Sequence, residues 1–208
     1  MRSPLPRLHA ITDDRIARRP DLDRVVALLA TAGADLALQA RGRSLSGREH
    51  YDLAVRLSAH PPARLFVNDR LDVALASGGG AAGVQLRHDS LPVDAARRLR
   101  SEWWIGRSVH SLAEARDAVA HRADYLVTGP MYATTTHPGS TPLSLDTLRA
   151  IVQLGSPVIA IGGITVDRVA ELRRAGVYGI AAIRALWDAP DPAAAARVLL
   201  AELAEGAS

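Results

Sequence analysis

The stretch PVIAIGGIT, residues 157–165, joins an apolar run to two adjacent glycines and a capping residue. A β-rich run that ends in glycine predicts a strand followed by a place where the backbone turns or another group approaches it closely. The residues after it are typical of a helix, because Thr165 can cap one and Asp167 falls in its first turn. The sequence therefore predicts a strand-to-helix junction at Gly162 and Gly163.

The same order of strand and helix recurs along the whole chain. Short apolar or β-branched runs predict eight strands, at residues 8–12, 34–41, 64–69, 83–86, 104–109, 124–129, 157–163 and 179–184. Helical stretches follow them, at residues 21–32, 46–59, 70–77, 92–100, 111–121, 144–153, 165–175 and 191–205. The sequence therefore predicts eight βα units.

These units predict the fold class. Apolar strands separated by helices indicate a parallel sheet that is buried on both faces. Eight such units close most simply into a single-domain α/β fold, the (β/α)8 TIM barrel, which we expect to span residues 1–208. An open doubly wound sheet is the alternative. The G-x-G-x-x-G motif usual after its first strand is absent, however, since residues 11–16 read ITDDRI.

Composition excludes several classes of protein. The 208 residues are 48% hydrophobic, which suffices for one sizeable core. The chain has no cysteine, and this excludes a disulfide framework and a thiolate metal site. No run approaches the ~18 apolar residues of a membrane span, and residues 1–12 lack the apolar core of a signal peptide. We therefore expect a cytoplasmic protein with no membrane partner.

The basic residues show a strong bias of their own. All 25 are arginine, so a mechanism based on a Schiff-base lysine is excluded. The net charge of +3 raises the question of a nucleic-acid partner. The arginines are scattered at the spacing of helix surfaces, without a basic block, and we therefore expect no nucleic-acid partner.

The opening glycines gain a function from their place in the order of strands. The sites of (β/α)8 barrels lie at the C-terminal ends of the strands, and the loops after strands 7 and 8 often hold phosphate. Gly162 and Gly163 end predicted strand 7, and Ile183 and Arg184 end predicted strand 8. Their backbone N–H groups can hold a phosphate on which Arg184 closes. A tight turn without a ligand is the alternative.

Polar and charged residues also follow the other predicted strands. They are Gln39, Arg41 and Arg43 after strand 2, Asn68 and Asp69 after strand 3, Ser108 and His110 after strand 5, and the loop of residues 129–142 after strand 6. Asn68 and Asp69 also suit a helix cap. Ser111 and Glu114 form a capping box, which explains part of the segment around His110 without any function. Together these residues make a ring around one rim, and they predict an anionic substrate.

Five segments, taken in order, carry a resemblance to a known family. They are LHAITDD at residues 8–14, GRSVHSLAEA at 106–115, ADYLVTGPMYATTT at 123–136, SPVIAIGGIT at 156–165 and AGVYGIAAI at 175–183. The chain resembles the thiamin phosphate synthase/TenI family of TIM barrels over nearly its whole length. The resemblance implies one of two activities. Synthases join a pyrimidine pyrophosphate to a thiazole phosphate with Mg²⁺, whereas TenI-type members shift a proton to aromatise a thiazole phosphate carboxylate.

The resemblance implies an intact binding site for the thiazole phosphate. Thr134 and Thr136 match the T-x-T loop of the family. Gly163 matches its phosphate-binding glycine, and Ile183 matches its strand 8 position. Arg184 stands where the synthases usually have serine, and an arginine also binds phosphate.

The residues that the resemblance implies for the pyrophosphate-binding part of the site differ more from those of the family. The residues that match it are Gln39, Arg41, Asn68 and Ser108. Arg43 and His137 stand where the family has lysine, and the histidine removes a positive charge at pH 7. Asp69 matches one magnesium ligand, but Ser90 stands at the position of the second, with Asp89 one residue away. Because Mg²⁺ requires near-octahedral oxygen ligation, a lost carboxylate weakens the clamp on pyrophosphate.

The two activities require different chemistry. A tautomerisation needs no metal or other cofactor, only one group of pKa near 7 that removes a ring proton and returns it. His110 fits that catalytic role, so the sequence favours a thiazole tautomerase. The first alternative is a thiamin phosphate synthase that uses Mg²⁺. Further alternatives are a non-catalytic sensor of a phosphorylated ligand and another phosphate-dependent barrel isomerase. We also expect a homo-oligomer.

Overall fold

The strands of the computed structural model lie within two residues of the predicted bounds at each end. The structure describes residues 2–134, 139 and 141–205. Its strands are β1 Leu8–Ile11, β2 Leu36–Ala40, β3 Arg64–Asn68, β4 Ala81–Leu86, β5 Trp104–Val109, β6 Tyr125–Thr128, β7 Val158–Ile161 and β8 Gly179–Ala182.

The predicted helices are also present, and two short helices join them. The long helices are α2 Leu22–Ala30, α3 Gly47–Ser58, α4 Leu71–Ala76, α5 Val93–Leu99, α6 Leu112–Ala120, α7 Leu145–Val152, α8 Val166–Arg174 and α10 Pro192–Ala204. The additional single turns are α1 Asp14–Ala17 and α9 Arg184–Trp187. Within the described part of the chain, no helix is long and apolar enough to cross a membrane.

Several helices begin at the residues that the sequence marks as caps. The Ser111 side chain accepts a hydrogen bond from the Glu114 backbone, and the Asp191 side chain accepts one from Ala194. Thr165 does occupy the N-cap position of α8, but its side chain makes no capping hydrogen bond. Its hydroxyl instead bonds the Asp167 carboxylate and helps to lower the pKa of that group.

The eight strands form a closed parallel barrel in which each strand pairs with the next and β8 pairs with β1. This confirms the predicted (β/α)8 TIM barrel and rules out the open doubly wound sheet, which would leave two edge strands. The predicted strand 8 is too long. It ends at Ala182, because Ile183 turns out of the sheet as the N-cap of α9 and Arg184 is the first residue of that helix.

A layer of rings fills the barrel below the C-terminal rim. His9, Phe66 and Tyr125 point inward and lie with ring centroids 5.2 to 6.1 Å apart. Two glycines make room for them. A Cβ on Gly83 would lie 2.5 Å from the Phe66 ring, and one on Gly106 would lie 2.2 Å from the Tyr125 ring. This layer packs the barrel interior below the C-terminal rim, the end at which (β/α)8 barrels bind their ligands.

Candidate active site

A cavity of about 1330 Å³ opens at the C-terminal rim of the barrel. It brings together most of the residues that the sequence predicts for the site. Those that line it are Gln39, Arg41, Arg43, Asn68, Asp69, Ser108, His110, Thr134, Gly162, Gly163, Ile183 and Arg184. Asp89 is absent from this lining. Thr136 and His137 lie outside the described residues, so their predicted roles stay predictions.

Buried amide and hydroxyl groups form the floor of the cavity. Gln39 and Gln85 have almost no exposed surface, and Gln85 Nε2 donates to Ser108 Oγ over 3.0 Å. Neither amide atom of Gln39 makes a hydrogen bond of normal geometry with any described residue, and the same holds for Gln85 Oε1. A buried polar atom without a partner destabilises the protein by about 1 to 3 kcal/mol. A polar ring bound at this floor would supply the missing partners.

Arginines concentrate where β2, β3 and β4 end. Arg41, Arg43, Arg70 and Arg87 all line this side of the cavity. Burial lowers the pKa of Arg41, and the nearby charges of Arg43 and Arg87 lower it further. The Arg41 guanidinium makes no hydrogen bond or ion pair with a residue that the structure describes. The charges of Asp13 and Asp14 act in the opposite direction and raise this pKa, and an anion bound in the cavity would add to their effect.

The opposite side of the cavity is built on the two glycines after β7. Gly162 and Gly163 have φ angles of 101° and 62°, which other residues rarely adopt. A Cβ on Gly163 would lie 2.6 Å from the Ala133 carbonyl oxygen. Arg168 donates to the Gly163 carbonyl over 2.5 Å, and its guanidinium lies 4.3 Å from the centre of the Tyr132 ring. The glycines therefore serve both a turn and a close approach of backbone.

This side also carries a second group of cations. Arg168 and Arg184 line the cavity beside the glycine turn. Gly162, Gly163 and Arg184 therefore lie at one rim, and phosphate binding by them stays a prediction. Arg184 also lines a smaller pocket together with Arg41 and Arg43. Several arginines around one cavity suit a substrate with more than one anionic group.

His110 is held in one tautomer by a backbone carbonyl. Its Nδ1 lies 2.7 Å from the Gly129 oxygen, and because a carbonyl only accepts, Nδ1 carries the proton. Nε2 of the neutral ring is then a free acceptor. The His110 backbone N–H donates to Glu114 Oε2, so the helix cap uses the backbone and not the imidazole. His88 packs edge-on against this ring with centroids 5.3 Å apart.

The acidic residues near β3 and β4, Asp69 and Asp89, both lie within 4 Å of the Arg87 guanidinium. Asp69 lines the cavity, whereas both Asp89 oxygens bind Arg87, at 3.0 and 2.5 Å. No cluster of three metal-ligating histidine, aspartate or glutamate side chains occurs among residues 2–134, 139 and 141–205. Mg²⁺ at phosphate sites is commonly held by one or two carboxylates together with phosphate oxygens of the substrate. Asp69 fits that reduced mode, and a shared ion between Asp69 and Asp89 stays a prediction.

The sequence did not predict every polar or charged residue of the cavity. Those that it missed include His50, Arg70, Gln85, Arg87, His88 and Arg168. Gln85 lies at the end of β4 and pairs in register with Asn68, so the inward phase of the strand is a signal that could have found it. Arg168 has no such signal, because it reaches the cavity from a helix.

Comparison with known proteins gives consistent matches over most of the chain. Residues 8–186 match the family described as thiamine monophosphate synthase. A thiamine-phosphate synthase of Chloroflexus aurantiacus is 42% identical over 200 residues, which cover 94% of this chain and 91% of the relative. One of Salinispora tropica is 44% identical over 210 residues, which cover 97% and 99% of the two chains.

Solved structures agree with these matches. A thiamine phosphate pyrophosphorylase from Pyrococcus furiosus superimposes with a TM-score of 0.81 and 35% identity, covering 95% of each chain. A 3-hexulose-6-phosphate synthase superimposes with a TM-score of 0.71 at 20% identity, and this likeness concerns the fold alone.

Proposed function

Because this chain belongs to the thiamine monophosphate synthase family, we propose that it forms thiamine phosphate from a pyrimidine pyrophosphate and a thiazole phosphate. One observation carries the proposal. The Arg41 guanidinium makes no hydrogen bond or ion pair with a described residue, and it lines one cavity with further arginines and with the glycine turn. A pyrophosphate together with a phosphate supplies more negative charge to these arginines than a single phosphate does.

The proposed activity is that of the synthase, whereas the sequence favours the tautomerase. The names of the relatives support the synthase, which was the alternative, and they give no support to the tautomerase. Two features explain the difference. A histidine at the end of strand 5 is compatible with both activities. The missing second aspartate counts less against a synthase once arginines are found to line the cavity near β3 and β4. The sensor is set aside because the relatives are named as enzymes.

In the proposed reaction the thiazole ring nitrogen attacks the methylene carbon of the pyrimidine. The bond between that carbon and the pyrophosphate oxygen breaks, and its electron pair leaves with the pyrophosphate. Negative charge therefore develops on the leaving group, where Arg41 and Arg43 stabilise it without reorganising. The thiazole phosphate binds at Gly163 and Arg184, and this fixes the direction from which the ring nitrogen approaches.

The floor and one rim residue complete the proposed site. Gln39 and Ser108 bind polar atoms of the pyrimidine, for which Gln85 holds the serine hydroxyl in place. His110 Nε2 faces the cavity as a hydrogen-bond acceptor that orients a substrate. Asp69 would hold a magnesium ion, which when bound supplies further positive charge to the pyrophosphate.

One assay separates the two activities. The purified protein is incubated with thiazole phosphate, pyrimidine pyrophosphate and Mg²⁺, and thiamine phosphate and pyrophosphate are measured. The thiazole phosphate carboxylate tautomer is tested alone in parallel. We expect equal amounts of thiamine phosphate and pyrophosphate in the first mixture. Aromatised thiazole in the second mixture, without thiamine phosphate in the first, would refute the proposal.

A further inference from the structure

An arginine of the β4 loop reaches the cavity beside the position where the resemblance implies a second magnesium ligand. Ser90, which stands at that position, does not line the cavity, and neither does its neighbour Asp89. Arg87 does line it. The loop therefore directs a cation towards the substrate and keeps its own carboxylate outside.

The Arg87 guanidinium lies between two carboxylates. Its Nε and Nη2 bind the two Asp89 oxygens at 3.0 and 2.5 Å, and its Nε is 3.9 Å from Asp69 Oδ2. A positive charge in this place disfavours a metal ion that bridges the same two carboxylates. Where the resemblance implies two carboxylates as magnesium ligands, this protein therefore has one carboxylate, Asp69, and one arginine, Arg87, facing the cavity.

The pair with Asp89 leaves Arg87 able to bind a further anion. A guanidinium has five N–H donors, and Asp89 uses two of them. About half of each side chain is exposed, at 52% and 49%, and exposed pairs of this kind contribute little to stability. Asp89 thus orients Arg87 more than it neutralises it.

Arg87 lines the same cavity as Arg41, the arginine that follows β2. Its charge is one of those that lower the pKa of Arg41, together with that of Arg43. Three guanidiniums that repel each other across one side of a cavity are stabilised jointly by a polyvalent anion. Phosphate groups accept two parallel N–H bonds from each guanidinium, which fixes their position as well as their charge.

We propose that Arg87 binds the pyrophosphate group directly and supplies part of the positive charge that a fuller magnesium site would bring. The assignment rests on the proposed function for the identity of that group. It also accounts for a pyrophosphate site in a chain that has one carboxylate fewer than the resemblance implies. Arg87 is then a binding residue, and Asp89 is the residue that positions it.

Titration with inorganic pyrophosphate tests the assignment without any turnover. Affinity is measured by calorimetry with and without Mg²⁺ for the parent protein and for Arg87→Gln, Arg87→Lys and Arg98→Gln. Arg98 is a matched control, because it forms an exposed pair with Asp94 on the helix that follows the same loop. Circular dichroism and the midpoint of thermal unfolding verify that each variant is folded.

We expect Arg87→Gln to weaken pyrophosphate binding by roughly tenfold or more under both conditions, the size of a lost charge-assisted hydrogen bond. Arg87→Lys should fall between the parent and Arg87→Gln, because an ammonium cannot bind two oxygens in parallel. Arg98→Gln should bind within about twofold of the parent, as expected for a surface substitution away from the site. Unchanged binding in Arg87→Gln, or no pyrophosphate binding by the parent, would overturn the assignment.

The two proposals fail in different ways. If the parent forms no thiamine phosphate but Arg87→Gln loses pyrophosphate binding, the proposed function is wrong and the Arg87 assignment stands. If the parent forms thiamine phosphate and Arg87→Gln binds pyrophosphate as well as the parent, only the assignment is wrong.

Discussion

Acidification should destabilise the barrel through one buried side chain, His9. The ring has no exposed surface, and burial lowers its pKa to about 4. Its Nε2 lies 3.2 Å from the Pro6 carbonyl oxygen, so Nε2 carries the single proton of the neutral ring. A second proton would place a charge among Phe66 and Tyr125 directly below the active-site floor.

The sign and size of the effect follow from the two pKa values. Histidine in the unfolded chain has its ordinary pKa of 6.5, so the unfolded chain takes up a proton first as the pH falls. The stabilisation from His9 is complete above pH 6.5 and is lost as the pH falls towards 4. Linkage gives a loss of about 2 kcal/mol at pH 5 and about 3 kcal/mol at pH 4.

Urea unfolding between pH 7 and pH 5 measures this loss in the parent, in His9→Phe and in His121→Gln. His121 is the control, because it is exposed on α6 beside Asp117. We expect His9→Phe to lose about 2 kcal/mol less than the parent over this range, whatever its stability at pH 7. His50, whose pKa burial also lowers, accounts for part of the loss that remains. The reasoning is wrong if His9→Phe and the parent lose equal stability.

Three further predictions concern the site. Arg41→Gln should raise the KM for pyrimidine pyrophosphate roughly 10- to 100-fold without lowering the free energy of unfolding, since the guanidinium makes no hydrogen bond or ion pair with a described residue. An effect as large from Arg48→Gln, on the exposed face of α3, would contradict this. Gly163→Ala should raise the KM for thiazole phosphate by about tenfold or more, because its Cβ would meet the Ala133 oxygen. Gly155→Ala shares the positive φ but meets no atom within 4 Å, and equal kinetics for the two variants would refute the argument. Asp69→Asn should raise the Mg²⁺ concentration needed for half-maximal activity, whereas Asp94→Asn, in an exposed pair with Arg98 on α5, should not; Mg²⁺ titrations of both variants test this.

The site could be predicted in part because the C-terminal ends of parallel strands all lie at the same rim of the barrel. Once the eight strands were placed, Gln39, Ser108 and Gly163 had to meet at the C-terminal rim, and the cavity contains all three. The outward turn of Asp89 could not be predicted in this way. The Asp89 carboxylate binds Arg87 instead of lining the cavity. Side chains in a loop do not alternate with a fixed period, as they do in strands and helices, so the sequence does not show which of them faces the ligand.

The sequence by itself determined the fold of this protein, because strand and helix periods and glycine positions are local properties that repeat eight times. It also determined which residue types surround the rim. Only the tertiary structure decided how they act together. The Arg41 guanidinium makes no hydrogen bond or ion pair with a described residue, His110 is held in one tautomer by Gly129, and Arg87 lies between Asp69 and Asp89. Each of these features depends on contacts between different βα units or on the rotamers that the side chains adopt. Electrostatic and hydrogen-bond energies depend on distances in space, and spacing along the chain does not fix those distances.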